Sequence, residues 1–176
     1  MSDSTPVRRL GAAEAAERID ELADVLVDCV QGGASVSFMW PFETDKARAF
    51  WRHVADGVAR GERALLVAED AERRIVGTVQ LVLALPENQP HRADVAKLLV
   101  HRRARRQGVA QRLMALVDTT ARDEGRTLLV LDTVTGGDAE RLYPRAGWQR
   151  VGEVPGYALM PDGRFCGTTF FYKALT

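Results

Sequence analysis

One stretch constrains the fold of this chain more than any other: Leu98-Leu99-Val100-His101-Arg102-Arg103-Ala104-Arg105-Arg106-Gln107-Gly108-Val109-Ala110-Gln111-Arg112-Leu113. The apolar run Leu98 to Val100 reads as the end of a buried strand. A basic turn follows, and Val109, Leu113, Leu116, Val117 and Thr120 then recur at the spacing of one helix face. Gly108 and Ala110 are small residues at the point where that helix begins. Small residues there let a ligand reach backbone N–H groups that no intrahelical carbonyl has claimed. Those donors and the positive end of the helix dipole favour an anion such as a phosphate, and the neighbouring arginines add bidentate phosphate donors. A dinucleotide-binding glycine fingerprint fits poorly, because Gly108 is the only glycine between Leu98 and Leu113. A P-loop is excluded, because no Gly-Lys-Ser/Thr follows the strand. The competing reading is a solvated basic turn between strand and helix.

Composition narrows the function classes. A chain of 176 residues is long enough to bury a core and is expected to be one domain, 1–176. The 24 Lys and Arg balance the 24 Asp and Glu, so no global field points to nucleic acid or to a membrane surface. Positive charge is concentrated locally, at residues 102–106. Cys29 and Cys166 are too few and too far apart for a disulfide framework or a metal cluster, and His53, His91 and His101 are scattered. No apolar stretch approaches a membrane span, and the start does not read as a signal peptide. A cytoplasmic protein with no metal is the expectation.

Along the chain, Met1 to Pro6 is expected to be mobile and Val7–Leu10 to form a short strand. Ala15, Ile19, Leu22, Leu26, Cys29 and Val30 mark one helix, stopped by Gly32-Gly33. The segment from Gly32 to Phe42 combines backbone freedom with large apolar side chains; it reads as a loop folded over the core or as a wall of a binding pocket. Thr44 is a suitable N-cap for a second helix, with Ala47, Phe50, Trp51, Val54 and Val58 on one face and Gly61 at its end. A hairpin (residues 64–68 and 75–83), the strand ending at Val100 and the helix of the opening stretch come next. Thr127–Leu131 has the near-continuous apolar character of a strand buried on both faces. A short helix (138–146), a strand (149–154), the turn Pro161-Asp162-Gly163 and a strand (168–172) complete the order β-α-α-β-β-β-α-β-α-β-β. That order calls for helices on both faces of one mixed sheet, an α/β fold.

The spacing Arg105-x-x-Gly108-x-Ala110 after a Leu-x-Val strand resembles the acyl-CoA signature of the GNAT acetyltransferases. A second segment, Ala139-Glu140-Arg141-Leu142-Tyr143-Pro144-Arg145-Ala146-Gly147-Trp148, is similar to the family's Ala-x-x-x-Tyr-x-x-x-Gly-Phe motif, whose tyrosine faces the CoA sulfur. The element order matches that family across nearly the whole chain. The resemblance implies a single-domain GNAT fold: a mixed, mostly antiparallel sheet of about seven strands flanked by about four helices. It also implies acetyl-CoA as co-substrate, held by Leu98, Leu99, Val100, Arg105, Arg106, Gln107, Gly108, Val109, Ala110 and Gln111. Three positions depart from the family pattern: Arg102 stands where a proline is common, Arg106 where a glycine is common, and Gly136 where an asparagine is common. A narrower similarity, to the part of the family that acetylates a small β-lactam amino acid, lies in Gly32–Val36, Arg92–Leu98, Leu131–Thr133, Val154–Tyr157 and Pro161–Arg164.

Acetyl transfer to an amine requires a deprotonated amine, a donor to the carbonyl oxygen and departure of a thiolate. A free amine with a pKa near ~10 is neutral in about one part per thousand at pH 7, a penalty of roughly 4 kcal/mol that a nearby carboxylate or water relay can lower. Asp94 at the start of the fourth strand and Asp132 at the end of the fifth are the candidate carboxylates. Tyr143 is the candidate acid for the thiolate, and the N–H of Leu99 or Val100 the candidate carbonyl donor. Gly33, Ser35, Phe38, Tyr157 and Arg164 are candidate acceptor contacts, with Arg164 placed to take a substrate carboxylate. His101 is expected to be a solvated neighbour of the basic turn. The expected partner is a small-molecule amine, amino-acid-like or an antibiotic or toxin, with no nucleic acid and no membrane, and the chain a monomer or homodimer. Three other readings remain: an acyl-CoA-binding sensor without turnover, an acetyltransferase for a peptide or protein, and a nucleic-acid binder using Arg102 to Arg106. Neutral net charge argues against the last.

Overall fold

The computed structural model describes residues 5–176. In chain order they form β1 (Val7–Leu10), α1 (Ala12–Glu17), α2 (Ile19–Gln31), α3 (Thr44–Ala59), β2 (Arg63–Glu69), β3 (Ile75–Val82), β4 (Arg92–Val100), α4 (Val109–Asp123), β5 (Leu128–Val134), α5 (Asp138–Arg145), β6 (Gln149–Leu159) and β7 (Phe165–Ala174). The seven strands make one sheet in the order β1-β2-β3-β4-β5-β7-β6. Only the β4–β5 pair is parallel; every other neighbour is antiparallel.

Two apolar layers explain why β2 and β3 are buried along almost their whole length. On one face, Leu22, Leu26, Trp51 and Val54 of α2 and α3 pack on Leu65, Val67 and Leu99. On the other, Leu113 and Val117 of α4 and Tyr143 of α5 pack on Leu66, Val79, Leu81 and Leu129. Gly77 sets the depth of α4. A Cβ there would lie 2.9 Å from Val109 Cγ1 and 3.2 Å from Leu113 Cδ1, so only a glycine in β3 lets the first turns of α4 settle on the sheet.

The parallel pair positions the site. β4 and β5 are bonded only from Arg92↔Leu128 to Asp94↔Val130, and beyond that register they part. The split opens a wedge between Val95–Val100 and Leu131–Val134.

Several sequence expectations are corrected. The first predicted helix is two, so five helices flank the sheet rather than four: the chain leaves helical geometry at Arg18 (φ −108°, ψ 24°). The guanidinium of Arg18 is drawn to Glu69 of β2, Glu21 and the carbonyl of Arg73, and helical periodicity in the sequence does not register that tertiary pull. Thr44 is the first residue of α3 and Glu43 occupies the cap position without a side-chain bond. β5 is fully buried only at Leu129 and Leu131 rather than on both faces, and Asp132, beyond the last pair with β4, is exposed. β6 and β7 are longer than predicted, extending the hairpin out over the wedge. Of the segment expected to be mobile, residues 1–4 lie outside the described residues. Thr5 and Pro6 are held, their carbonyls accepting from Arg112 Nε at 3.1 Å and Glu69 N at 3.0 Å.

Candidate active site

The basic turn divides its work between anchoring and presenting donors. A single 3₁₀ turn at Arg102–Ala104 leads from β4 toward α4. Arg102 donates both its backbone N–H (2.9 Å) and its guanidinium to Asp28 of α2, and Arg103 pairs with Asp24 at 3.1 Å and bonds the carbonyl of Ile75. A proline at 102 would lack the N–H that Asp28 uses, which accounts for the departure from the family pattern at that position. His101 is not the solvated neighbour expected. Its ring is 12% exposed, with Nε2 3.5 Å from Asp24 and 3.7 Å from Asp28, and Nδ1 accepts from Arg103 N. Burial pushes its pKa down, keeping the ring neutral.

Beyond the anchors, Arg106 (φ 62°) and Gly108 (φ 72°, ψ 12°) take left-handed backbone and turn the chain into α4. The first helical acceptor in α4 is Gly108 O, which takes Arg112 N at 3.1 Å, so the N–H groups before Arg112 have no carbonyl of the helix to serve. Arg112 Nη2 fastens Gln107 O at 3.0 Å and so fixes the turn from outside. The result is an anion cradle at the positive end of a 15-residue helix. Arg105 and Arg106 stand at its rim; Arg105 Nε also bonds Val100 O at 3.1 Å.

The cradle opens into a cleft of about 1600 Å³ that follows the wedge between β4 and β5. That exceeds the roughly 300–1,000 Å³ of an ordinary small-ligand pocket and leaves room for a long cofactor and an acceptor together. Of the expected cofactor contacts, all but Gln107 line it; Gln107 turns its amide back to the carbonyl of Arg103. Backbone direction separates Leu99 from Val100. Val76 O accepts from His101 N at 2.9 Å, and antiparallel alternation therefore turns the backbone groups of Val100 the other way, into the cleft. Val100 O is there, taken by Arg105 and by Cys29 Sγ at 3.6 Å.

Tyr143 lies on the cleft wall, 4% exposed, with its ring 5.9 Å from Trp148 and 5.4 Å from Phe171. Packing and cleft access coexist at Tyr143. Burial first and the charge of Asp132 second push its phenol up to about 12, so it carries its proton at neutral pH.

The two candidate carboxylates part company. Asp132 lines the cleft, and the hydroxyl of Thr168, 4% exposed, shares its one proton between Asp132 Oδ2 at 2.9 Å and Thr133 O at 3.0 Å. Asp94 lies in the paired segment before the wedge, bound to the Arg92 guanidinium and outside the cleft lining. Parallel pairing, not the end of the strand, decides which carboxylate reaches the open space.

At the acceptor end, Gly33, Ser35 and Phe38 line the cleft, as does Tyr157 across from them. Residues 32–42 form a strap fastened at both sides. Ser35 Oγ donates to Leu159 O at 2.7 Å, Trp40 N donates to Pro161 O at 3.0 Å, and Trp40 Nε1 donates to Val30 O at 2.8 Å. Phe42 is buried in the core, and Phe38 leans on Phe42 and Phe50 at 4.6 and 5.4 Å. The strap is both core cover and pocket wall. Arg164 is not among the residues lining this cleft: its Nε is bound to Asp162 at 2.7 Å, and it borders an adjoining recess that shares Met160, Cys166 and Gly167 with the cleft. Lys97 and Thr168 reach the cleft without any signal that sequence spacing carried. Among the described residues no group of His, Cys, Asp and Glu could hold a metal, and no helix is long and apolar enough to cross a membrane.

A split sheet with unclaimed helix N–H groups and arginines at its mouth has the chemistry to receive a phosphate-bearing ligand. The family model described as "Acetyltransferase (GNAT) family" matches residues 20–148, well over half of the sequence, and the chain belongs to that family. The family uses acetyl-CoA as co-substrate and acts on small-molecule or peptide acceptors. The whole chain is similar in fold to an N-acetyltransferase from Staphylococcus aureus Mu50 (17% identity, 98% of this chain and 99% of that one, TM-score 0.79). It is also similar to yncA from Salmonella typhimurium, solved with its cofactor acetyl-CoA (17%, 98% and 94%, 0.75), and to a ribosomal-protein-alanine N-acetyltransferase from Brucella melitensis (22%, 97% and 99%, 0.74).

Proposed function

We propose that this protein transfers the acetyl group of acetyl-CoA directly to the amine of a small, amino-acid-like molecule. The observation that carries the choice of acceptor is the strap: residues 32–42 cross the acceptor end and are tied to the β6–β7 hairpin by Ser35 and Trp40. A fastened roof favours a small ligand over an extended peptide, which needs an open groove. The clusters at Gly32–Val36, Leu131–Thr133 and Val154–Tyr157 resemble the tabtoxin-resistance acetyltransferase, which acts on a small β-lactam amino acid, and lend this reading support.

The cradle at Arg106–Ala110 takes the pyrophosphate, with Arg105 and Arg106 as further donors. When bound, acetyl-CoA supplies an acyl carbon already activated by its thioester. The Val100 N–H, directed into the cleft, donates to the thioester carbonyl oxygen as charge builds there. Asp132, oriented by Thr168, accepts the proton the amine must lose, directly or through water. The new C–N bond forms as the C–S bond breaks, and the electron pair leaves with sulfur. Tyr143 faces that sulfur. Full proton transfer from a phenol near 12 to a thiolate of pKa ~8.5 would run uphill by about 5 kcal/mol. Tyr143 therefore acts as a hydrogen-bond donor to the departing thiolate, which later takes its proton from solvent.

The test is thiol release from acetyl-CoA with a panel of amino acids, β-lactam amino acids, aminoglycosides, polyamines and peptides. Preferential turnover of an amino acid is expected; preference for a peptide or polyamine refutes the acceptor class.

A further inference from the structure

Within the proposed acetyl transfer to an amino-acid-like acceptor, a cation must meet the acceptor's carboxylate. Arg164, the residue the sequence nominated, is exposed, paired with Asp162 and outside the cleft lining, at the edge of an adjoining recess. A different cation faces the cleft. β4 carries an irregularity where Thr78 pairs with Leu99 but Gln80 pairs with Ala96, leaving one extra residue on β4. Lys97 absorbs it with φ 54°, a left-handed conformation that costs a residue with a Cβ roughly 1–2 kcal/mol. Thr78 Oγ1 holds the Lys97 carbonyl at 3.1 Å and stabilises the kink. Bulges of this kind re-aim a side chain, and strained backbone persists where the surrounding structure over-determines it.

The side chain so aimed is half-buried. Its Nζ donates to Ser37 Oγ of the strap at 3.0 Å and lies 5.9 Å from the Phe50 ring centroid. An ammonium carries three donors and the strap uses one. Among the described residues Lys97 forms no ion pair: Asp132 shares the cleft and acts on it through space, but no carboxylate lies within 4 Å. Arg63, a cation whose charge bears on it, is occupied with Gln80 Oε1 at 2.9 Å. Burial pushes the Lys97 ammonium below its ordinary pKa, and an anionic partner would relieve that penalty.

From this geometry we infer that Lys97 is the acceptor-carboxylate receptor: the acceptor lies between Lys97 and Asp132, its carboxylate on Nζ and its amine toward Asp132. Lys97 and Asp132 then offer a zwitterion one cation and one anion in the same cleft, beside the Phe38 of the strap. Carboxylate recognition by an unpaired, half-buried ammonium discriminates because the analogue lacking the carboxylate leaves the charge unmatched.

Acceptor pairs that differ only in the carboxylate test the assignment: L-alanine, β-alanine and γ-aminobutyrate against their carboxamides. Wild type should favour at least one acid over its amide by about 10²-fold in kcat/KM. Lys97→Met should bring that ratio close to one, chiefly through KM, whereas Lys97→Arg should retain most of it. Circular dichroism and acetyl-CoA affinity check that each variant is folded. The assignment is overturned if wild type shows no preference for any acid, or if folded Lys97→Met keeps the preference. If no amine is acetylated, the proposed function fails, and calorimetry of the same acids against the protein with CoA reads Lys97 separately. Binding lost in Lys97→Met upholds the receptor, and no binding to wild type removes it.

Discussion

The two halves of the cleft are built in opposite ways. The half proposed for the cofactor comes from one continuous segment, β4 through the start of α4, and offers mainly backbone N–H groups and a helix dipole. The half proposed for the acceptor is assembled from Gly33 to Phe38, Lys97, Asp132, Tyr157 and Thr168, held by bonds such as Lys97–Ser37 and Ser35–Leu159 that span 60 and 124 residues. A backbone cradle tolerates much side-chain change, since most of its donors come with every residue except proline. A pocket of side chains changes its ligand with each substitution. One fold can thus keep its acyl donor while its acceptor varies.

Breaking the cofactor half should have the largest effect. Gly108→Glu places a carboxylate where the phosphate is expected and a Cβ in left-handed backbone 3.3 Å from Arg112 Nη1. The strain costs about 1–2 kcal/mol, and a carboxylate at a helix N-terminus offsets part of it. The variant should stay folded and lose acetyl-CoA affinity by at least ~10²-fold; calorimetry showing wild-type affinity would remove the cradle from the mechanism.

Next in size is the residue at the join. Tyr143→Phe should keep acetyl-CoA affinity and lose roughly 10²-fold in turnover, the loss expected of one donor to a developing charge. Unaltered kcat with the best acceptor would show that the thiolate leaves without it.

The acceptor half gives a sharper contrast between two carboxylates. Asp132→Asn should lower kcat/KM by about tenfold or more, while Asp94→Asn should leave it within roughly twofold, because Asp94 is paired with Arg92 outside the cleft. The reverse ranking would mean that the wedge closes differently with ligand bound. Thr168→Val, which removes the hydroxyl beside Asp132 Oδ2 and Thr133 O, should cost about fivefold in kcat/KM. An unchanged kcat/KM would make Thr168 a packing residue only.

The smallest effect belongs to the strap. Ser35→Ala deletes the bond to Leu159 O, worth about 1 kcal/mol, with the weak one from Cys166 Sγ, and leaves Trp40 N on Pro161 O as the remaining tie to the hairpin. KM for the preferred small acceptor should rise several-fold and bulkier amines should gain in relative rate. No change in acceptor size profile would argue against the strap as the size filter.

How much of this was legible beforehand follows from the range of the interactions. Val109, Leu113 and Val117 declare α4, and Gly108 with its basic turn declares the anion cradle, because helix periodicity and backbone donors are properties of neighbours in sequence. The element order was readable for the same reason. The break at Arg18 was not: it depends on Glu69, fifty-one residues away. Nor was the separation of Asp94 from Asp132, which follows from where the β4–β5 ladder stops, or the pairing that removes Arg164 from the acceptor end. The kink that turns Lys97 into the cleft depends on β3 pairing one residue short, and a lysine before an apolar strand end looks ordinary in sequence. Local patterns of apolarity and small residues thus determined the fold class and the backbone geometry of the turn into α4 on their own. The acceptor side was decided only when strand register and long-range hydrogen bonds set side chains face to face, since a cavity's charge pattern belongs to no single segment.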